Sequence, residues 1–308
     1  MKCLTTSLTL HSHEIKQAFL HSFTALLIVA TGHDSNEHKY VMKTEVIDLG
    51  NSSMSCKPWA DSDPVHYASG GFFSNGLTIC GGGDPATNQC FQIRQNNTIP
   101  FTVSQKVASA GSSGVMIDQK EFLISGGWSS DGTLLNRSEI LTTTEYLEET
   151  DLPFATAYHC MITTRNGTIF STGGKLEYNR YTTSPYVWVW DKSTWKDYAN
   201  STLNQARFKH GCGSFSLHGT TFLVVAGGRD NDPHNSFNTT EFLNLAEESS
   251  KWVYGTYLKV VKQYSLKKKI FLSFRKVQHF HFQKHSILMQ TRLCQMEIHC
   301  ITSTPGTI

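Results

Sequence analysis

The sequence lacks the short motifs that identify most enzyme families. It contains no P-loop, no G-x-S-x-G nucleophile elbow, no H-E-x-x-H zinc motif and no kinase signature. None of its eight cysteines forms a C-x-x-C pair, which argues against a zinc knuckle or a thioredoxin-like redox site. We therefore expect a protein that is not an enzyme and that uses neither a metal nor another cofactor.

Long apolar runs are also missing. The clearest one, residues 25–30, is far shorter than the segment needed to span a bilayer. It is either the apolar core of a signal peptide or a buried strand, so the status of residues 1–24 is open. We expect no stable insertion into a membrane.

Charge is scarce and unevenly distributed. Only 17% of the residues are charged, and residues 256–308 hold nine of the 27 basic residues but one of the 25 acidic residues. Residues 1–255 are therefore mildly acidic, and we expect no nucleic-acid partner for this body. The basic tail is either an RNA- or membrane-binding segment or a segment without a selected structure.

What the sequence does contain is a repeat. Five segments hold a short apolar strand that ends in glycine, in four cases as a Gly-Gly pair. The matching glycines are Gly32, Gly82, Gly126, Gly173 and Gly227, at steps of 50, 44, 47 and 54 residues. Turn signals precede the last four, at Asn75-Gly76, Asp118-Gln119, Asn166-Gly167 and His218-Gly219. An Asn-Gly turn between apolar runs predicts a two-residue hairpin with both central φ angles positive.

Two more strands follow in most copies. Three copies continue with Ser or Thr, then Glu and apolar residues, beginning at Thr44, Ser138 and Thr240. A tryptophan ends three copies, at Trp59, Trp195 and Trp252. Four short strands in a unit of about 45–50 residues are typical of a propeller blade.

Gly-Gly after an inner strand, followed by an outer strand and a tryptophan, resembles the kelch repeat. The segment from Leu203 to Gly213 is similar to secreted invertebrate kelch-like proteins. The resemblance implies an all-β fold, a kelch-type β-propeller over residues 25–255. It would have at least five four-stranded blades, or six in a complete protein, and residues 256–308 would lie outside it. The copies after Gly83 and Gly127 depart from the pattern because they lack the tryptophan.

Two cysteine pairs are predicted to form disulfides. A short loop returns the chain from Cys80 to Cys90, which brings their Cα atoms within the roughly 4.4–6.8 Å that a disulfide needs. Cys160 and Cys212 occupy matching places in adjacent blades. The alternative is that all four are reduced and buried. Disulfides persist mainly outside the cytosol, so these pairs favour an extracellular protein.

Six N-x-Ser/Thr sequons point the same way. The candidate glycosylation sites are Asn51, Asn96, Asn136, Asn166, Asn200 and Asn238.

Two arginines are candidate partner-binding residues. Arg207 and Arg229 flank the inner strands of the last clear blade. An arginine at a propeller mouth binds carboxylates or a peptide partner, or else it caps backbone carbonyls.

The sharpest enzymatic alternative is a radical-copper oxidase related to galactose oxidase. Such a site needs a Cys–Tyr cross-link, a second tyrosine and two histidines. The residue types occur in Tyr158, His159 and Cys160 and again in His210 and Cys212. Repetition alone explains why they fall at equivalent positions in successive blades.

We therefore predict a non-catalytic interaction module that binds a protein partner through loops on one face, with a glycan as the other candidate ligand. An extracellular setting is preferred. The main alternative is a cytoplasmic kelch protein that recruits substrates to a ubiquitin ligase or binds actin.

Overall fold

The computed structural model describes the strands up to Pro58 and then residues 60–61, 65–73, 76–177, 182–198, 201–230, 235–247 and 249–258. The strands before residue 60 are β1 (His13–Glu14), β2 (Ala18–His21), β3 (Leu26–Ala30), β4 (His33–Asp34), β5 (Lys39–Tyr40), β6 (Thr44–Asp48) and β7 (Cys56–Pro58). Next come β8 (Ser69–Phe73), β9 (Gly76–Cys80), β10 (Cys90–Ile93), β11 (Thr98–Pro100), β12 (Ser113–Met116), β13 (Phe122–Ser125), β14 (Ser138–Leu141) and β15 (Tyr146–Glu149). The last are β16 (Cys160–Thr163), β17 (Ile169–Thr172), β18 (Val187–Trp190), β19 (Trp195–Asp197), β20 (Gly211–Leu217), β21 (Thr220–Ala226), β22 (Thr240–Asn244) and β23 (Val253–Tyr254).

These strands form five four-stranded antiparallel sheets. Sheet 1 has the order β2-β3-β6-β7, sheet 2 β8-β9-β10-β11, sheet 3 β12-β13-β14-β15, sheet 4 β16-β17-β18-β19 and sheet 5 β20-β21-β22-β23. The short strands β1, β4 and β5 form a separate three-stranded sheet. The prediction of an all-β chain built from four-stranded units is confirmed, and the described residues contain no helix.

The first strands of successive sheets contact one another, in the order β2, β8, β12, β16 and β20. Hydrogen bonds join some of these neighbours, such as Thr163 Oγ1 to the Met116 carbonyl at 3.0 Å. Sheets that meet along their first strands and diverge outward are consistent with the blades of a β-propeller.

A sheet that has a neighbouring sheet on each side buries both of its faces, because alternate residues of a strand point to opposite sides. In β13, Phe122 and Ile124 pack in the core between sheets 2 and 3, whereas Leu123 packs between sheets 3 and 4. Trp195, expected to fill the space between blades, lies in this second core and is 5% exposed. Trp252 packs between sheets 4 and 5, and Trp59 lies outside the described residues.

Gly-Gly pairs follow the second strand of sheets 2 to 5, and those of sheets 2 to 4 touch the next sheet. The second glycine donates its N–H across the junction, as from Gly127 to the Thr156 carbonyl at 2.8 Å. A Cβ on the first glycine, Gly126, would overlap that same carbonyl oxygen. The repeat is therefore set by close backbone approach between sheets, as its sequence suggested.

At both boundaries expected from the sequence, residues on the far side are hydrogen-bonded to residues of the sheets or next to them. Strand β2 lies in residues 1–24 and pairs with β3, the strand that contains most of the apolar run. At the other end, Thr240 Oγ1 donates to the Thr256 carbonyl at 2.7 Å, and the N–H of Leu258 donates to the Asn238 carbonyl at 2.6 Å. The rest of the basic tail, 259–308, lies outside the described residues.

Candidate functional site

Sheets 2 to 5 are each entered through a turn with one left-handed residue, which we call the inner turns. That position is held by Tyr67, Gly111, Tyr158 and Lys209, with φ of 62°, 68°, 57° and 54°. Positive φ in a non-glycine residue costs on the order of 1–3 kcal/mol and persists only where the surroundings enforce it. Three such side chains at one repeated position therefore indicate a constrained surface.

Hydrogen bonds connect the inner turns in sequence. The N–H of Gly111 donates to the Tyr67 carbonyl at 2.7 Å, that of Tyr158 to the Gly111 carbonyl at 2.7 Å, and that of Lys209 to the Tyr158 carbonyl at 2.9 Å. These three hydrogen bonds bring residues from four sheets together. They meet where the first strand of each sheet begins, beside the Gly-Gly pairs.

Aromatic rings meet at this point. The ring centroids of Tyr67 and Tyr158 lie 5.3 Å apart, and Trp128 lies 5.1 Å from the first and 4.8 Å from the second. Phe208 extends the cluster at 6.1 Å from Tyr158. A Cβ on Gly111 would overlap the Trp128 ring, which explains why glycine replaces a side chain at this one inner turn.

Positive charges border the rings. Lys209 Nζ lies 4.4 Å from the Tyr158 ring centroid and 5.1 Å from that of Tyr67, within the range of a cation–π interaction. Arg229 Cζ lies 5.5 Å from the Phe208 ring centroid. Partial burial, together with the positive charge of Arg229, holds the pKa of Lys175 below its usual range.

We call this surface the inner-turn face. Its half-buried residues are Tyr67, Tyr158, Lys175, Lys209 and Arg229. The rings of Trp128 and Phe208, which are only 5% and 3% exposed, pack against them from the protein interior. Aromatic area suits apolar or aromatic groups, and nearby cations suit a carboxylate. Chemically, the surface is equipped to bind an anionic group together with apolar ones.

Arg207 does not belong to this face, which corrects its prediction as a partner-binding residue. It is fully buried and forms an ion pair with the buried Glu241, and its Nη1 donates to the Gly227 carbonyl at 2.7 Å. Glu241 also accepts the N–H groups of Asn204 at 2.7 Å and Gln205 at 3.2 Å. The arginine and glutamate thus hold the loop that enters sheet 5. Arg229, the second predicted arginine, is half-buried on the inner-turn face.

Sheet 3 has a similar but weaker arrangement, in which a buried glutamate holds the loop that enters the sheet. Glu139 accepts the N–H groups of Lys106 at 3.3 Å and Val107 at 3.4 Å, and Arg137 Nε at 3.1 Å. Burial raises the pKa of Glu139, against the opposing effect of Arg137. In sheets 3 and 5, the Ser/Thr-Glu repeat therefore marks a buried carboxylate that binds backbone N–H groups.

Sheet 4 has an aromatic surface in place of this buried glutamate and its hydrogen bonds. Trp188 stands where sheets 3 and 5 have glutamate, and Pro153, which has no N–H, stands where Lys106 donates in sheet 3. Phe154 packs on Trp188 with ring centroids 5.7 Å apart and on Tyr186 at 6.1 Å. Phe154 is 53% exposed and Tyr186 is 40% exposed, so this aromatic triad forms a second surface for contacts.

Both predicted disulfides are present. Cys80 and Cys90 lie directly opposite each other on β9 and β10, with Cα atoms 4.1 Å apart. Cys160 and Cys212 join β16 to β20, the first strands of sheets 4 and 5, across a Cα separation of 6.0 Å. The cysteine that a Cys–Tyr copper site needs is thus bonded to another cysteine in both copies of the motif. Within the described ranges, no group of three His, Cys, Asp or Glu side chains is placed to hold a metal ion.

The sequons divide into two sets. Asn96, Asn136, Asn166 and Asn238 are exposed. Asn51 and Asn200 lie outside the described residues. The described part of the chain also has no helix that is long and apolar enough to cross a membrane.

No protein-family model matches the chain, and no curated protein matches its sequence. The functional argument therefore depends on the geometry of the chain itself.

Sequence reasoning missed most of the inner-turn face. It singled out Arg229 but not Trp128, Lys175 or Lys209. Each of these three residue types occurs only once at its position in the repeat, so no sequence motif marks it. The available signal was the repeat itself: aligned on their glycines, the copies place Trp128, Lys175 and Arg229 at one position directly after Gly-Gly.

Proposed function

We propose that the chain is a kelch-type β-propeller that acts outside the cell by binding a protein partner through the inner-turn face. Five four-stranded meanders whose first strands touch in order support the propeller. Gly-Gly pairs at the sheet junctions and Trp195 between sheets support the kelch type. The two disulfides are compatible with an oxidising compartment.

The observation that carries the binding role is the inner-turn face. Residues from four sheets converge there on one patch, where rings lie beside Lys175, Lys209 and Arg229. A carboxylate of a partner would lower the repulsion between Lys175 and Arg229, while apolar groups next to it would pack on the rings. The proposed partner therefore presents an acidic residue flanked by apolar ones.

Charge reversal tests this role. An array of acidic peptides and their amide-matched versions, with Asp and Glu replaced by Asn and Gln, would be probed with the secreted full chain and with Lys175→Glu. We expect binding only to the acidic set and a loss of at least ~10-fold on reversal, in line with the few kcal/mol of interfacial charge pairs. Lys120→Glu is the matched control, because Lys120 is exposed in the β12–β13 hairpin at the opposite end of its sheet. Equal losses in the two variants, or binding that ignores peptide charge, would rule the face out.

The aromatic triad on sheet 4 favours a second ligand class, a glycan. Exposed rings such as Phe154 and Tyr186 stack on the apolar face of a sugar. A glycan array probed with the wild type and with Phe154→Ala would test this, and binding unaffected by that change would exclude the triad.

A further inference from the structure

A groove of about 370 Å³ runs between sheets 4 and 5, at the end opposite the inner turns. Its walls include Phe170, Tyr198 and Leu245, and Thr168 and Thr221 lie among its polar lining residues. The Phe170 and Tyr198 rings meet edge to face, with centroids 5.1 Å apart. A small cavity with ring surface and a few hydroxyl groups suits a single sugar unit.

The groove is also lined by Asn166, the acceptor residue of a sequon. This exposed asparagine lies in the turn between β16 and β17, and its Oδ1 accepts the N–H of Thr168 at 3.3 Å. Of its side-chain atoms, Nδ2 donates to none of the described residues. The nitrogen that would carry a glycan is therefore at the rim of a sugar-sized groove.

We propose that Asn166 carries an N-linked glycan whose first N-acetylhexosamine lies in this groove. The sugar ring packs against Tyr198, and the groove hydroxyl groups bind its polar substituents. This assignment rests on the proposed extracellular setting, since the glycan is added in the secretory pathway. In that transfer, the bond between C1 of the oligosaccharide and the diphosphate of its lipid carrier breaks, and C1 bonds to Nδ2. The departing diphosphate keeps the electron pair of the broken bond, and the proton lost from Nδ2 passes to solvent.

A seated glycan differs from one that extends into solvent. It covers apolar surface at the junction of two sheets, so it stabilises that junction. It also shields the link between the first two sugars from enzymes. Asn96 provides the matched comparison: it too is an exposed N-x-Thr asparagine in a hairpin turn at this end of its sheet, but it does not line the groove.

The test uses full-length protein from a secreting eukaryotic cell line and an endoglycosidase that cuts between the two core sugars. On native protein we expect release from Asn166 to be at least ~10-fold slower than from Asn96, and equal after denaturation. Thr168→Val, which destroys the sequon, should lower Tm by about 2–4 °C relative to Thr168→Ser, which keeps it, for a loss of about 1 kcal/mol.

The outcomes separate the two proposals. An unmodified Asn166 in a protein glycosylated at Asn96, Asn136 and Asn238 would overturn this inference alone, as would equal native release rates. A protein without glycan at all four exposed sequons would overturn the extracellular setting itself.

Discussion

His159 lies buried at the junction of sheets 3 and 4, and its environment differs from that of its repeat counterpart. His210, one sheet further on, places Nε2 3.0 Å from Thr172 Oγ1. The residue that matches Thr172 in the preceding sheet is Ser125, whose hydroxyl is already engaged with Ser138 at 2.9 Å. Both ring nitrogens of His159 therefore lack a hydrogen-bond partner among the described residues.

This burial predicts acid sensitivity. Desolvation lowers the pKa of His159 to about 3, whereas an unfolded histidine titrates near 6.5. The unfolded chain then binds the extra proton between these values, so stability is lost as pH falls below about 6.5, by up to about 1.4 kcal/mol per pH unit. Urea unfolding of wild type and His159→Asn from pH 7 to pH 4 measures the slope, which should be shallower in the variant. Identical slopes for the wild type and the variant would contradict the assignment.

The ion pair between Arg207 and Glu241 predicts a large effect from a small change. Glu241→Gln would leave a buried guanidinium without its carboxylate, which costs about 3–5 kcal/mol. Glu148→Gln is the control, because Glu148 pairs with Arg137 but is 59% exposed, so its loss should change the free energy of unfolding far less. Both free energies of unfolding come from urea titrations. Similar losses of unfolding free energy in the two variants would mean that the pair of Arg207 and Glu241 does not hold the loop that enters sheet 5.

At the scale of single strands and turns, the backbone conformation of one hairpin follows from the sequence and that of another does not. His218 and Gly219 have φ of 49° and 82°, as the predicted two-residue turn requires. At Asn166 and Gly167 only the glycine has positive φ, and the Thr164 N–H donates to the Thr168 carbonyl at 2.9 Å, which closes a three-residue loop. This part of the prediction was wrong, because Thr164 and Asn166 form side-chain bonds that favour the longer turn. Asn75 lies outside the described residues.

The disulfides predict unequal contributions to stability. Cys80–Cys90 spans 10 residues within one sheet, whereas Cys160–Cys212 spans 52 residues and ties two sheets together. Loop entropy gives about 3 kcal/mol for the short bridge and about 4 kcal/mol for the long one. Replacing each pair by serine and measuring Tm should therefore show the larger loss for Cys160 and Cys212. Non-reducing peptide mapping of secreted protein checks both pairings, and free alkylation of all four thiols would contradict them.

For the whole molecule, repetition made the sheets predictable but not the site. Glycine spacing located the second strand of the sheets, because in sheets 2 to 4 close approach to the next sheet leaves no room for a Cβ there. The inner turns have no such residue rule: the left-handed position holds tyrosine twice and lysine once, and only Gly111 gives a conformational signal. Arg207 was misplaced for a related reason, since its partner Glu241 comes 34 residues later and the sequence does not pair them.

The C-terminal boundary gives the last prediction. Two truncations isolate it, one ending at Leu258 and one at Gly255. Removing 259–308 should change Tm by less than about 2 °C, because glycine pairs and turn signals stop before that segment. The shorter chain also loses the two hydrogen bonds that Thr256 and Leu258 make with sheet 5. At about 1 kcal/mol for each bond, its Tm should fall by a further 4–8 °C or so. Differential scanning calorimetry of the three proteins decides the matter: a large loss already at Leu258 would mean that the basic tail completes a sheet.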